Sequence, residues 1–305
     1  WAPSSSMHVM PNGDVRACCQ NVWHPLGNVL EQPLRAIWDG AAARALRDRL
    51  EVGDLGLGCE LCRVEVRAGA EQAAHLHEYD DLRPTDPARR WPRQLELTLS
   101  IACNLQCAMC NGELSSAIRV HREGRPPAPR VFDDAFFDDL EPFLEHADRV
   151  AFLGGEPFLG AEPLRVLDRM VGLGTSARVH IITNGTQWSP RISRILAALP
   201  VHLVVSVDGA TAGTNEAIRV GVDHERFVAN LDRLRAASRR PSSGFGLAFS
   251  LMTENWHELA DVLAWGDRLD CDVAVNTVTN PPRFSLRMLD AAGLAEVDQG
   301  LRDRE

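Results

Sequence analysis

The stretch LELTLSIACNLQCAMCNGELSS, residues 95–116, decides the fold. It opens as an apolar strand-like run, LELTLSI (95–101), and passes directly into Cys103, Cys107 and Cys110, spaced C-x3-C-x2-C. Three thiolates in one short loop can hold three corners of a four-iron cluster and leave the fourth iron without a protein ligand. An iron with an open position is a place to bind and reduce something. The alternative is a zinc site or plain buried thiols; zinc takes four ligands, and no fourth lies close by in the sequence.

Outward from this loop the chain alternates. Strand-like runs recur at 149–154, 178–183, 202–207, 246–251 and 272–278, with helical patterns around 133–146, 162–173, 189–199, 224–237 and 255–268. Six β/α repeats predict an α/β fold with a parallel sheet and right-handed crossovers. The count suits a partial, TIM-like (β/α)6 barrel better than a closed eight-stranded one. Parallel barrels carry their active sites at the carboxyl ends of the strands, where the cysteine loop emerges. Residues 285–305 read as a C-terminal helix.

Upstream, SMHVM (6–10) and DVRACC (14–19) flank Pro11-Asn12-Gly13, a hairpin signal. In PLRAIWDGAAARALRDRL (33–50), Leu34, Ile37, Trp38, Leu46 and Leu50 recur near helical spacing. GLGCELC (56–62) reads as a turn. Residues 69–93 are polar, contain Pro84, Pro87 and Pro92, and read as a linker. The predicted organisation is a small hairpin-plus-helix domain (1–68), a linker (69–93), the barrel (94–284) and the final helix (285–305).

The chain has 305 residues, 45% hydrophobic and 24% charged, an ordinary globular balance. The net charge of −10 gives no electrostatic case for nucleic acid. No apolar run approaches the roughly 18 residues of a membrane span. Seven of the eight cysteines lie in tight groups, and only Cys271 stands alone. Without a visible secretory signal, such groups read as metal or cluster ligands before disulfides, and the expected compartment is a reducing cytoplasm.

Taken together, residues 95–280 resemble the radical S-adenosylmethionine (SAM) superfamily. The three-cysteine loop after the first strand matches its cluster loop, and Gly154-Gly155-Glu156-Pro157 its GGE motif. Thr183-Asn184-Gly185-Thr186 ends the third strand, Ser206-Val207-Asp208-Gly209 the fourth, Ala217-Ile218-Arg219-Val220-Gly221 follows, and Asn255 follows the fifth. One departure is Met109, where the family often has an aromatic residue before the last cysteine. The resemblance implies that SAM chelates the open iron through its amino group and carboxylate. It places Gly154 and Gly155 against the methionyl part, Glu156 on the amino group, and Asn184 and Ser206 on ribose or methionine. Asp208 joins this set, Arg219 is a partner for the carboxylate, and Met109 lies against adenine. One electron then cleaves the sulfonium C–S bond, and the 5′-deoxyadenosyl radical takes a hydrogen atom from substrate.

The second group, Cys18 with Cys59 and Cys62, resembles the auxiliary-cluster module called SPASM, or its shorter form Twitch. The resemblance implies a second [4Fe–4S] cluster on these three cysteines, with a zinc ribbon as the alternative. The pattern's further cysteine, counted back from Cys18, falls just before Trp1, so the fourth ligand is expected there. Cys19 is the in-chain alternative, although adjacent strand residues point to opposite faces. The module usually follows the barrel, whereas here it precedes it, and a second copy is conceivable after residue 305. Cys19 is also a candidate hydrogen-atom donor, as is Tyr79; Cys271 reads as structural.

The function expected from these features is an enzyme that cleaves SAM reductively, with a flavodoxin- or ferredoxin-type reductant as partner. The leading substrate class is a sugar or cyclitol in natural-product biosynthesis, epimerised or oxidised. The alternative is modification of a ribosomal peptide or protein; a non-catalytic iron–sulfur or zinc protein is the remaining class. Glu113, Ser115, Ser116 and Arg119 are expected to line the substrate pocket.

Overall fold

The computed structural model describes residues 1–69, 75–84 and 90–304. Among them are nine strands: β1 Ser6–Val9, β2 Asp14–Arg16, β3 Gly27–Asn28, β4 Gln94–Leu97, β5 Arg149–Phe152, β6 Arg178–Thr183, β7 Val201–Ser206, β8 Gly244–Leu251 and β9 Asp272–Thr277. Their hydrogen-bonded order is β3-β2-β1-β4-β5-β6-β7-β8-β9, a mostly parallel mixed α/β sheet. The six barrel strands fall where the apolar runs predict them. β4 stops at Leu97, so the three-cysteine loop begins after a stretch of irregular backbone.

The chain divides into two compact units. The first comprises residues 1–100, 129–153 and 165–179. Here the Asn12-Gly13 turn forms as expected: Gly13 takes φ +87°, β1 and β2 pair antiparallel, and β3 extends the hairpin. The hairpin also joins the barrel's first strand. β1 lies parallel to β4, with Met7 opposite Leu95 and His8 opposite Glu96. β4 in turn pairs parallel with β5. Met7, Val9, Leu95, Leu97, Val150 and Phe152 are fully buried along these three strands. Burying both apolar ends of a short hairpin in this way offsets the small core that 68 residues supply by themselves.

Three local expectations change in this unit. The helix expected over 33–50 is two helices, Leu34–Trp38 and Ala41–Glu51, because the chain closes tightly at Gly40: a side chain there would meet the Ala36 carbonyl oxygen at 2.8 Å. GLGCELC is not only a turn. Gly58 takes φ +74°, Cys59 precedes the helix Glu60–Arg67, and Cys62 sits in that helix's first turn. The linker expected over 69–93 lies partly outside the described residues. Its described part contains the helical turn His75–Leu82, where Tyr79 and Leu82 are buried with Ala2.

The second unit comprises residues 101–128, 154–164 and 180–304. Its strands β7, β8 and β9 pair parallel in sequence order. The central β7 exposes only His202 among its first five residues, the near-continuous burial of a parallel strand covered on both faces. Side-chain caps start its helices: Ser189 accepts from the Ile192 N–H, Thr211 from Thr214 and Asp223 from Arg226. The final helix is shorter than expected, Ala291–Arg302, because Asp290 caps it and short turns precede it.

Two buried side chains brace the loops at the carboxyl ends of these strands. Asn255 Nδ2 donates to the carbonyls of Asp208 and Ser250, both at 3.0 Å, and its Oδ1 accepts from the Met252 N–H at 2.8 Å. Glu258 accepts from the N–H of Ala210 at 2.6 Å and Thr211 at 3.0 Å, and from both threonine hydroxyls of 211 and 214. Burial alone would raise the Glu258 carboxyl, but these donors outweigh it and hold the carboxyl below its ordinary value of 4.5.

Replacing Asn255 by Ala leaves two buried carbonyls and an N–H unpaired, so Asn255→Ala is expected to cost about 3 kcal/mol in urea unfolding. Because the folded-state Glu258 carboxyl is depressed, its contribution is present above pH 4.5 and fades as pH falls through the folded value. The stability gap between the metal-free protein and its Glu258→Gln variant should therefore narrow on acidification from pH 7 to 4; a constant gap contradicts this role.

Candidate active site: the cysteine loop and the strand ends around it

The three-cysteine loop has almost no regular structure, so its position depends on bonds to its neighbours. Gln106 N–H donates to the Val220 carbonyl and Ala108 N–H to Ile218, both at 2.8 Å, a two-rung ladder along the segment after β7. Ser116 N–H donates to the Ile101 carbonyl at 2.7 Å. The Ser116 hydroxyl bonds both the N–H and the carbonyl of Cys103, and the Ser115 hydroxyl donates to the Leu105 carbonyl at 2.8 Å. Arg122 reaches the carbonyls of Cys107, at 3.1 Å, and Cys110. Leu105 and Ile101 are buried beneath.

For Ser115 and Ser116 these bonds correct the expectation that they line the substrate pocket. Ser115 is 1% exposed and Ser116 is occupied with Cys103, so both fasten the loop. Arg119 donates to the Pro126 carbonyl at 2.7 Å, and Glu113 pairs with Arg125 at 2.6 Å.

The glycines and polar residues of the strand-end motifs lie in the same unit. Gly154 takes φ +77°, a conformation that disfavours any side chain. Glu156, 1% exposed, accepts from Thr183 Oγ1 at 2.8 Å, from the Asn184 N–H at 2.6 Å and from the Phe158 N–H at 3.0 Å. Burial pushes its carboxyl upward, against those three donors. Three bonds leave one lone-pair site of the carboxylate for a further donor. Gly185 takes φ +71°, and a side chain there would meet Phe227 at 2.8 Å and Val205 at 2.9 Å. Asn184 lies between the Glu156 carboxylate and the cysteine loop: its Nδ2 is 3.1 Å from Asn104 Oδ1 and 3.8 Å from Cys103 Sγ.

Asp208 and Arg219, expected to act separately, are brought together. Arg219 Nη2 lies 2.7 Å from Asp208 Oδ2, with side chains 7% and 0% exposed. Asp208 Oδ1 accepts from the Ser250 N–H at 2.8 Å. Burial would lower the Arg219 guanidinium, yet Asp208 and the nearby Cys107 thiol raise it on balance. Asp208 Oδ2 is taken up by the guanidinium in this ion pair, while Arg219 Nε, also buried, has no aligned hydrogen bond. A buried guanidinium with one donor left open fits a carboxylate. Ser206 ends β7 half-buried, and Met109 packs on Ile218, Met252 and Phe284.

The three thiols are close enough to perturb one another. Burial, foremost, pushes Cys107 up to about 11, with Cys103 and Cys110 adding to the rise. Cys103 and Cys110 are raised by burial as well. Such thiols stay protonated until a cation displaces the proton, and iron supplies the charge that burial withholds. No three metal-ligating side chains among the described residues are gathered tightly enough for a single ion, and three cysteines of one loop that act on one another's charge suit the wider corners of a four-iron cluster.

In the first unit, Cys18, Cys59 and Cys62 line one cavity of about 510 Å³, together with Leu46, Leu50 and Tyr79. Burial pushes Cys18 up to about 12 and Cys59 up to about 11. Three thiols around one apolar cavity suit an iron–sulfur cluster. Cys19 is also pushed up to about 11 by burial, with the Glu96 charge adding to the rise and the Tyr79 hydroxyl opposing it. Tyr79 in turn donates to Glu96 Oε1 at 2.7 Å. Cys271 follows the helix Leu259–Leu269 and donates its N–H to the Gly266 carbonyl.

Sequence reading missed several residues that build the site. Asn230, 1% exposed, donates to the carbonyls of Gly185 at 3.1 Å and Thr186 at 3.0 Å, pinning the turn after β6. A lone Asn in the apolar stripe of FVANLDRL was the available signal. Arg122 and Asn104 carried none, since both lie in polar surroundings.

Comparison with known proteins agrees with the geometry. The family profile described as the radical SAM superfamily matches residues 97–266, more than half of the chain, and the chain belongs to that superfamily. A profile described as an iron–sulfur cluster-binding domain, SPASM, matches residues 1–63. The two domains imply a SAM-binding [4Fe–4S] cluster, an auxiliary iron–sulfur cluster and SAM itself. The AdoMet-dependent heme synthase of Methanosarcina barkeri (strain Fusaro / DSM 804) is 35% identical over 155 residues, covering 48% of this chain and 40% of that protein. The mycofactocin maturase MftC of Mycobacterium ulcerans (strain Agy99) is 29% identical over 178 residues, covering 58% and 45%. The chain therefore spans less than half the length of these two curated relatives. Among solved structures, native anSMEcpe with bound AdoMet has a TM-score of 0.50 at 16% identity, covering 69% of this chain and 59% of that one. Streptococcus suis SuiB bound to S-adenosylmethionine has a TM-score of 0.49 at 16% identity, covering 88% and 61%. No helix among the described residues is long and apolar enough to cross a membrane.

If the two thiol groups hold separate clusters, Cys107→Ala should remove roughly half of the bound iron after anaerobic reconstitution, and Cys59→Ala a different half. The cluster left in Cys107→Ala should no longer change its EPR signal when SAM is added. Full iron content in either variant contradicts the assignment.

Proposed function

We propose that this chain carries the radical-generating core and an auxiliary cluster of a peptide-modifying radical SAM enzyme. The observation that carries the radical-SAM part of the reading is the buried Arg219 guanidinium, held by Asp208 with its Nε open and close enough to Cys107 to act on its charge. When bound, the cluster supplies the electron that cleaves SAM and so yields the hydrogen-abstracting 5′-deoxyadenosyl radical.

The chain's own residues do the rest. Arg219 Nε offers a donor to the carboxylate of SAM, and the guanidinium suits a planar, two-oxygen partner. The remaining lone-pair site of Glu156 offers an acceptor to its amino group, and Asp208 holds the guanidinium in place. Gly154 and Gly155 allow the backbone close approach to the methionyl part. Ser206 supplies a polar edge for the ribose. Burial of Asp208, Arg219 and Glu156 keeps water away from these charges and strengthens each contact.

For substrate, the saccharide or cyclitol expectation has no support among the relatives. The peptide alternative draws support from the mycofactocin maturases, 29–32% identical to this chain, and from the pairing of the barrel with a SPASM module. A second reading, chemistry like that of the heme synthase, has the 35% identity of that relative in its favour. In either case a low-potential ferredoxin- or flavodoxin-type protein would supply the electron.

The test is direct. The reconstituted chain, given SAM and dithionite without oxygen, is expected to release 5′-deoxyadenosine, and Arg219→Ala to lower that release by about 100-fold. No 5′-deoxyadenosine from a protein carrying both clusters would sink the proposal. Deuterium transfer from a labelled peptide into 5′-deoxyadenosine would support the peptide reading over the heme-like one.

A further inference from the structure

Asn184 has a side-chain orientation that its surroundings dictate. It sits in the turn after β6, 8% exposed, with its own N–H committed to Glu156 Oε2 at 2.6 Å. Its side-chain oxygen accepts from the Thr186 N–H at 3.0 Å and from Thr186 Oγ1 at 2.7 Å. A backbone N–H only donates, so the amide atom facing it must be the oxygen. The NH2 end then points the other way, where two acceptors wait for its two hydrogens: Asn104 Oδ1 at 3.1 Å and Cys103 Sγ at 3.8 Å. Asn104 is itself tied to Thr186, its Nδ2 donating to Oγ1 at 3.1 Å. The Asn230 amide holds the same turn from beneath through the carbonyls of Gly185 and Thr186.

The three loop thiols thereby have different neighbours. Cys103 faces the Leu105 N–H and the Ser115 hydroxyl as well as the Asn184 amide, Cys107 faces the Arg219 charge, and Cys110 lies against Asn111 with Arg122 and Arg219 near it. We propose that Asn184 is a positioning residue that sets the reduction potential of the SAM-binding cluster through an N–H···S bond to Cys103, and that its side chain is not a contact to SAM. The inference rests on Cys103 being a cluster ligand. A donor to a ligating sulfur draws electron density off it and favours the reduced, more negative cluster, so the bond raises the potential. That eases the one-electron reduction on which SAM cleavage depends, using electrons from the low-potential reductant.

The test is Asn184→Asp, which keeps the oxygen for Thr186 and replaces the donor by a second oxygen, read beside Asn184→Leu, which removes the donor without adding a charge, so that only a shift shared by both reports the lost bond. In the reconstituted full chain, an EPR-monitored redox titration follows the signal that responds to SAM. The expected result is unchanged iron content and a midpoint moved to more negative potential, the reduction equilibrium falling about threefold to tenfold. An unchanged midpoint at full iron loading overturns the inference. Should Asn184→Asp fail to load iron, ENDOR on the reduced cluster of the unaltered chain, labelled with side-chain 15N asparagine, decides the question. A resolved 15N coupling supports the bond, and its absence overturns it. Survival of the SAM-responsive signal in Cys103→Ala would instead remove the ligand assignment, and the inference with it.

Discussion

Two backbone hydrogen bonds, from Gln106 and Ala108 to Val220 and Ile218, are what the rest of the site depends on. The cysteine loop has no helix or strand of its own to fix it. A loop of this kind costs conformational entropy to order, and its thiols cost desolvation to bury. The ladder along 218–220 supplies a fixed edge, and the same segment contains Arg219. One short stretch thus sets both the height of the loop and the position of the buried cation facing Cys107.

Around that edge, buried polar side chains are spent on one another and on loop backbone. Glu156 joins the GGEP turn to the turn after β6; Asn255 and Asp208 join the end of β7 to β8; Glu258 holds the 210–211 turn. In a low-dielectric setting each such group must be paired or pay for its desolvation. Asp208 and Arg219 follow the same rule by pairing with each other at 2.7 Å, which keeps a full charge buried beside the cysteine loop.

The auxiliary module follows the same logic on a smaller scale. Its hairpin gains a partner by pairing β1 with β4, and its three thiols gather around one apolar cavity lined by the Ala41–Glu51 helix. The buried Tyr79–Glu96 bond sits next to that cavity. Placing His8 opposite Glu96 follows from the β1–β4 register, since residues directly opposed on neighbouring strands share a face.

Much of this was legible in the residues. Alternating apolar runs marked the six barrel strands, Asn12-Gly13 marked the hairpin, and the spacing of the thiols grouped the candidate cluster ligands, because each is a local pattern of chemistry or periodicity. What the sequence by itself determined was the class of fold, the kind of cofactor and the glycines at tight turns. Only the tertiary structure decided that the hairpin joins the barrel's first strand, that Ser115 and Ser116 fasten the loop, that Asp208 meets Arg219, and that the amide of Asn184 points at Cys103. Those are contacts between residues far apart in the chain or turned by a neighbour's hydrogen bond. Their partners are chosen by strand register and by the direction of a donor, which only the folded backbone defines.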